Sequence, residues 1–554
     1  MIMEKKDPDA APALGIDSTI GLNREVQPEF KETTVPAVRF WILSVGVCLG
    51  LFLSILDTSI VATSIYSIGV EFEDVRRVNW IALAYTLAYL GCAVTFARVS
   101  DVVGRRNAFV AAYIVFFAFS LGCGFAQSLD QLIACRTLQG IGGSGLYSLS
   151  MIILPELCPE HLRRYIGSII GLAIAGSGAL GPVLGGILTH YATWRWVFWI
   201  NGPIGFVSLL IFLLSWPKPE HLPTTTRRSW KEFDYIGSTL IIAAAVLVIF
   251  PFQNAGESSN TGSTWSTAAF IAPLTIGLIL WIALVAWGYL VKHILKHRIA
   301  LTFPITLFTN RTYTAAALST LCIGYPYFML GYAFPLRAQV LDEKDPLLAG
   351  IMLLPMLGAT AVGTILAGVI SKTKNYLFET MLVGACLLTV GAGLLTTIND
   401  GGGGGGADAK ALGFIVFVGM GFGLNVAAAT MITAFEVPIV DYAPAQGIIA
   451  QLRILGGSLG ISTSTIFQNA QVRNHLTGLL TASELATLGH SSGSQAPLSA
   501  EKRSAVHKAF SDAFHNDMVA AVVVSGVAIL VVLVGYRAGR RMGVEELKGE
   551  RVRE

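Results

Sequence analysis

Fourteen apolar runs, each close to the roughly 20 residues that a helix needs to cross a bilayer, fall at about 41–67, 79–97, 107–127, 131–154, 165–189, 197–216, 235–253, 267–290, 313–340, 347–370, 379–398, 411–435, 446–468 and 518–537. In hydrocarbon every backbone amide has to be paired inside the structure, so runs of this length are expected as helices; the short alternating segments of a β-barrel are missing. The chain is expected to be an all-α polytopic membrane protein, with the lipid bilayer as its first partner. Composition agrees: 53% of its 554 residues are hydrophobic and 13% are charged, against about 25% charge in soluble domains. A formal net charge of +3, with no basic tract interleaved with aromatics, argues against nucleic acid as a partner. The seven cysteines, at 48, 92, 123, 135, 158, 322 and 386, lack metal-ligand or CxxC spacing and read as small apolar packing residues. No metal or cofactor is expected.

Basic residues are retained on the cytoplasmic side of short loops. Arg98, Arg105, Arg106, Arg163, Arg164, Lys218, Arg227, Arg228, Lys231, Lys292, Lys296, Arg298, Arg311, Lys372 and Lys374 fall in alternate loops, and Arg537, Arg540 and Arg541 follow the last run. Both termini are therefore expected in the cytoplasm. Arg76 and Arg77 oppose the bias but sit among Glu71, Glu73 and Asp74. Residues 1–40 are polar and lack the apolar core and cleavage site of a signal peptide. The polar stretch 470–517 and the glycines Gly401 to Gly406 are expected outside as loops. The sequon Asn310-Arg311-Thr312 falls on the cytoplasmic side, where it is not glycosylated.

Four stretches carry more than hydropathy. The loop after the second run places Asp101 among Arg98, Arg105 and Arg106; a positive-inside loop accounts for the bases but not for the acid, which could pair with an arginine or a helix N-terminus. Arg136 lies inside the fourth run, where a charge is expensive and marks a candidate functional residue, although a boundary arginine that snorkels is the alternative. Gly140, Gly142 and Gly145 match a dinucleotide-type spacing, but no strand precedes them, so close helix packing is the better reading. The fifth run holds Gly176, Gly181, Pro182, Gly185 and Gly186, which by composition means a closely packed, bendable helix.

These stretches resemble signatures of the major facilitator superfamily. Asp101 to Arg106 is similar to its loop between the second and third helices, an acid followed by a Gly-Arg-Arg/Lys turn, although Ala97 stands where the family usually has glycine. Arg136-x-x-Gln139-Gly140 resembles the Arg-x-x-Gln-Gly motif, whose arginine is implicated in proton coupling. Gly181-Pro182-x-x-Gly185-Gly186 resembles the antiporter motif associated with exporters. Leu56 to Val61 and Trp194 to Pro203 look like the fourteen-helix drug:proton antiporter branch, fungal members in particular, and Gln451 to Gly460 resembles their Arg-x-x-Gly-Gly-x-x-Gly segment; on its own, Arg453 reads equally well as structural.

The resemblance implies two six-helix halves, 41–216 and 311–537, with two extra helices inserted within 217–310, between a disordered cytoplasmic tail 1–40 and a second tail 538–554. It implies a monomeric proton-coupled exporter of small hydrophobic molecules: secondary metabolites, toxins or drugs. Protons fit as the energy source, because no P-loop is present. Asp57 with Arg136 is the preferred coupling pair, and Asp101, Arg105, Arg106 and Arg453 are gating candidates. Glu156 and Glu436, near helix ends, are expected to reach water, as are His293 and His297 in a loop. Tyr85, Tyr89, Tyr147, Tyr325, Tyr327 and Phe334 are candidate cargo-cavity residues. The rivals are siderophore-iron or basic amino acid carriage on the same fold, and a non-transporting membrane receptor. The plasma membrane is expected ahead of the vacuolar membrane, with no sorting signal to decide, and cargo identity is not readable.

Overall fold

The structure, a computed structural model, describes residues 35–536 except 62–63, 73–76, 79, 160–161, 163–165, 219–227, 258–266, 295–298, 343, 345, 372–375, 399–405, 439–440, 477–478 and 480–498. The expected tails 1–40 and 538–554 lie largely or wholly outside the described residues, as do Arg163, Arg164, Lys372, Lys374 and the glycine run. Among the described residues the secondary structure is helical, with one isolated bridge between Phe233 and Ala300. In chain order the helices are α1 Ala37–Ile60, α2 Ile65–Glu71, α3 Trp80–Val103, α4 Arg105–Gly124, α5 Leu129–Leu157, α6 Ile166–Tyr191, α7 Arg195–Trp199, α8 Asn201–Ser215, α9 Tyr235–Glu257, α10 Ala268–His293, α11 Arg311–Val340, α12 Pro346–Ile351, α13 Leu354–Ile370, α14 Leu377–Leu395, α15 Gly406–Glu436, α16 Tyr442–Leu476 and α17 Ala500–Val534.

Among the described residues twelve stretches are long and apolar enough to cross a membrane, two fewer than the runs counted in the sequence. The two expected crossings outside the twelve are α5 and α16, which carry Asp130, Arg136, Arg453 and Arg473. Both are long, and each buries one arginine: Arg136 and Arg453 are among the largest fully buried side chains, whereas Asp130 and Arg473 are exposed. The stretch 470–517, expected as a loop, is helical at both ends, since α16 continues to Leu476 and α17 begins at Ala500. Ser499 caps α17, its hydroxyl accepting from the Lys502 amide at 3.4 Å.

Side-chain burial sorts the helices into two packed groups. Helices α1, α3–α6 and α8 close around a cluster that includes Phe40, Leu51, Phe109, Phe116 and Phe212, and α11, α13–α15 and α17 around one that includes Tyr327, Met356, Leu388 and Phe422. α16 runs along α11 and α17 and also packs on α3 and α5, while α6 meets α12, α13 and α15. The α9–α10 hairpin sits at the edge, α9 against both α3 and α16. Only 17% of the α10 span is buried, so most of its apolar surface faces outward.

Asp234, which no sequence signal marked, fixes that hairpin. It accepts from the Gly237 amide at 2.7 Å, Trp287 Nε1 at 2.9 Å and the Thr302 amide at 3.0 Å. Asn310 caps α11, accepting from the Thr312 amide at 3.0 Å while its Nδ2 donates to Glu436 at 3.0 Å. The Asn310 amide nitrogen is thus engaged, and Glu436 is hydrogen-bonded rather than simply solvated.

Candidate functional site

Of three polar constellations, one lies within the first helix group and two reach from it to α16 or the residue before it. The first is wholly buried near the ends of α1 and α7. Arg136 Nη1 on α5 donates to Asp57 Oδ2 on α1 and, at 2.8 Å, to Gln139 Oε1 one turn along its own helix. Asp57 Oδ1 accepts from Gln139 Nε2 at 3.0 Å and from Asn201 Nδ2 at 3.0 Å, and Asn201 also reaches Ser120 Oγ at 3.0 Å. Arg136 Nε donates to the Ile81 carbonyl at 3.3 Å, and the guanidinium lies 4.1 Å from the centre of the Tyr85 ring. Asp57, Arg136 and Gln139 are 0% exposed, so the arginine does not snorkel. Charges removed from water this completely persist only when paired and hydrogen-bonded.

The second constellation is a latch where α3 turns into α4. Gly104 makes the turn at φ 93°, in the left-handed region that favours glycine. Arg98, 2% exposed, donates to Asp101 Oδ2 at 3.2 Å, to the Leu301 carbonyl at 2.8 Å and to Asp441 Oδ1 at 3.1 Å. Asp441 immediately precedes α16, so this contact joins the two helix groups. Arg105 donates to Asp101 Oδ1 at 2.6 Å and to Glu156 Oε2 at 2.9 Å. Glu156, expected to reach water, is thus held by Arg105, whereas Arg106 is exposed on the outside of the turn. The Arg228 amide donates to the Asp101 carbonyl at 3.2 Å, and Arg311 donates to the Val534 carbonyl. Basic residues from α3, α4, the segment before α9 and the first turn of α11 therefore gather at one end of the bundle. At the other end Glu71 pairs with Arg195 at 2.8 Å and accepts from Trp194 Nε1 at 2.6 Å, and Arg77 pairs with Asp130.

The third is an aromatic line between the two charged sites. Tyr85 and Tyr89 stack with centroids 5.6 Å apart, and Tyr89 and Tyr147 follow at 5.8 Å. Arg453 Nη1 on α16 donates to Tyr147 Oη at 3.3 Å, a second bridge between the groups. Tyr85 Oη donates to the Ser54 carbonyl at 2.8 Å. The six aromatic cavity candidates thus do not form one lining: Tyr85, Tyr89 and Tyr147 make this line, Tyr327 stacks on Phe422 at 3.6 Å, Phe334 is buried in the second core, and Tyr325 packs toward Ala392 and Ala521.

In the glycine-rich stretch of α6, Gly181 is the point of close approach to α1, since a Cβ there would collide with Ser59 Oγ. A Cβ at Gly176 would meet Phe52 at 3.8 Å, an ordinary contact, Gly186 has open space, Gly185 is buried, and the Pro182 side chain lies outside the described residues. Asn201, Ser120 and Asp441 were missed in the sequence. The Trp194–Pro203 stretch held the first as part of a motif, but nothing marked it as a partner of Asp57.

Two groups of helices, most of them long and apolar enough to cross a membrane, joined at one end by the Arg98–Asp441 ion pair and holding charges in their interior, fit a multi-span membrane transporter. The chain belongs to the Major Facilitator Superfamily, whose profile matches residues 47–461. It is 31% identical over 495 residues to the MFS-type transporter FPY5 of Fusarium mangiferae, covering 87% of this chain and 81% of that one. It is 28% identical to the aspyridones efflux protein of Neocamarosporium betae, over 85% of this chain and 82% of that one. Among solved structures, the human organic anion transporter MFSD10 (TETRAN) matches with a TM-score of 0.56 at 14% identity, over 90% of this chain and 98% of that one. The proton:xylose symporter XylE matches at 0.57 and 13%, over 93% and 99%. These structures share the fold.

Proposed function

We propose that this protein is a proton-coupled exporter of small hydrophobic organic molecules, of the secondary-metabolite, toxin or drug class, working by alternating access. The observation that carries the reading is the buried Asp57–Arg136 pair on α1 and α5, in a family where relatives of this length are named as efflux proteins. The close α1–α6 packing at Gly181 supports the direction. A cation cargo would call for several unpaired cavity acids; among the described residues the fully buried acids are Asp57, Asp234 and Asp517, and the first two are fully partnered.

In this reading the two helix groups rock about a midplane cavity, with α9 and α10 as the inserted pair. Helices α5 and α16 cross as well, which gives fourteen crossings: at about 1.5 Å per residue they span about 44 and 52 Å, more than the ~30 Å hydrocarbon core. Protonation of Asp57 removes the charge that holds Arg136, and the freed guanidinium re-pairs, shifting the balance between the two access states. The Arg98–Asp441 contact latches the cytoplasmic end, and its breaking opens the cavity there. One proton moving through about 100 mV gains about 2.3 kcal/mol, and a pH difference of about 2 units adds about 2.7 kcal/mol. Together they sustain a cargo gradient above a thousandfold, at about 1.4 kcal/mol per decade. The chain works as a monomer, with both termini in the cytoplasm and the plasma membrane ahead of the vacuole as its site.

The test is transport of a panel of fluorescent hydrophobic compounds in proteoliposomes with an imposed pH gradient, native chain against Asp57→Asn. Gradient-driven export in the native chain that disappears in the variant is expected. Gradient-driven export of equal size in both would remove Asp57 from the coupling, and none in the native chain would remove the proton.

A further inference from the structure

Asp517 sits in α17 at 2% exposure, where no motif drew attention. Ser464 Oγ on α16 donates to its Oδ2 at 2.6 Å. Among the described residues its Oδ1 has no partner. Asp57 and Asp234, the other fully buried acids, each meet at least three donor groups. Asp517 instead borders a cavity of about 10 Å³, roughly the size of one water, whose wall also includes Arg337, Gln468 and Phe514. Gln468 Oε1 is likewise a buried acceptor without a donor among the described residues. Two acceptors on one cavity, neither answered, are a costly arrangement for an ionised carboxylate. A proton on Asp517 supplies a donor.

The surrounding charges leave room for this. Arg337 on α11 shares the cavity, but it pairs with Asp342 at 3.4 Å and lies over the Phe514 ring at 5.4 Å; among the described residues Asp517 makes no ion pair. The other titratable groups that feel its charge from α11 are Tyr325 and Tyr332, both neutral hydroxyls. Farther out, His475 at the end of α16 pairs with Asp512 on α17 at 3.2 Å. On α17 itself His515 and Lys508 are exposed. The remaining helix packed on α17 is α14, whose single charged residue, Glu379, lies beside Phe378, which meets Tyr536 at the opposite end of α17.

Position along α16 adds a direction. Asp441 of the latch precedes the first residue of α16, and Ser464 is about 33 Å farther along at ~1.5 Å per residue. The cavity therefore lies toward the end of the bundle opposite the latch, which the loop charges assign to the outside. We infer that Asp517 is a protonation site in the second helix group, and that the exporter proposed above uses it to hold a proton taken from outside while Asp57 stays paired with Arg136. The transport role rests on the proton-coupled reading; the protonation site does not.

The site is tested by infrared difference spectra, acid minus alkaline, of the full chain in liposomes. A carbonyl band from protonated carboxyls in apolar surroundings is expected in the native chain, with a component that is kept in Asp57→Asn and lost in Asp517→Asn. Ser464→Ala keeps the carboxyl but removes a donor that favours its ionised form, so the band persists and its midpoint moves to higher pH, which reads the site even if Asp517→Asn fails to fold. A band unchanged in Asp517→Asn, or none in the native chain, overturns the site. The role is tested in the same liposomes with rhodamine 6G and an imposed pH gradient, as the ratio of efflux with and without the gradient within each variant. The ratio is expected to fall to one in Asp517→Asn. An undiminished ratio in that variant overturns the role given to Asp517, whereas a native ratio of one overturns proton coupling of this dye's export and leaves the infrared result standing.

Discussion

Replacing Asp57 by asparagine keeps the side-chain shape and removes the charge opposite Arg136. The guanidinium then remains in a site of 0% exposure, with the Gln139 Oε1 acceptor at 2.8 Å, the Ile81 carbonyl at 3.3 Å and the Tyr85 face. Those contacts exist already in the native chain, so they do not compensate for the lost carboxylate. Removing one partner of a buried pair costs about 3–5 kcal/mol. Arg136→Gln strands the carboxylate in turn, although Gln139 and Asn201 still donate to it, and hydrogen bonds to a charged group contribute about 1.5–3 kcal/mol each; the expected cost is at the lower end of the same range. The double variant removes both charges and should lose clearly less than the sum of the two singles. The assay is reversible unfolding of the detergent-solubilised chain followed by tryptophan fluorescence, analysed as a double-mutant cycle. A coupling of about 2 kcal/mol or more is expected. Additivity within about 0.5 kcal/mol, the behaviour of independent sites, would refute the claim that the two charges hold each other.

Asp441→Asn should loosen the latch. Asp441 is 25% exposed and its pair is partly screened, so the shift is about 1 kcal/mol or less, read as up to about a fivefold rise in labelling of a cysteine placed on the latch-end interior; an unchanged rate would show the contact to be idle. Gly181→Val should separate α1 from α6 at Ser59, lowering both folded yield and transport, whereas Gly186→Ala, with open space around it, should do neither. Burial pushes the Glu71 carboxyl up, but the hydrogen bonds from Trp194 and Arg195 outweigh it and hold the group below its ordinary value of 4.5. The contact of Glu71 with Trp194 and Arg195 is therefore fully present above that value and is lost as pH falls through the lowered one, seen as a Trp194 fluorescence change with a midpoint below 4.5 that is absent in Glu71→Gln.

Hydropathy made the membrane class and nearly all of the helices legible, because a spanning segment is a local property: about 20 apolar residues in a row, with no partner needed to recognise them. Local spacing also exposed the Asp101–Arg106 turn, where Gly104 has to take positive φ, and the glycine face of α6. Arg136 stood out because a charge within an apolar run has no cheap explanation, and Asp57 because a motif surrounded it. Hydropathy was least informative at α5 and α16, since the polar residues that fit them for the interior dilute the very signal that marks a crossing.

Only the tertiary structure showed how the charges are answered. Asn201 is 144 positions from Asp57, and Asp441 is 343 from Arg98; no periodicity links residues so far apart, and an asparagine before a glycine or an acid before a helix is unremarkable in sequence. The same holds for Asp517, which reads as the polar end of a helix until Ser464 and the cavity are seen beside it. The sequence determined that this chain would be helices in a bilayer and where its interior charges lie along it, because partition into lipid acts segment by segment. Which of those charges are neutralised, which join the two helix groups and which acid keeps an oxygen without a donor among the described residues were decided by packing, because a hydrogen bond depends on two atoms meeting within about 3 Å and the chain between them carries no record of it.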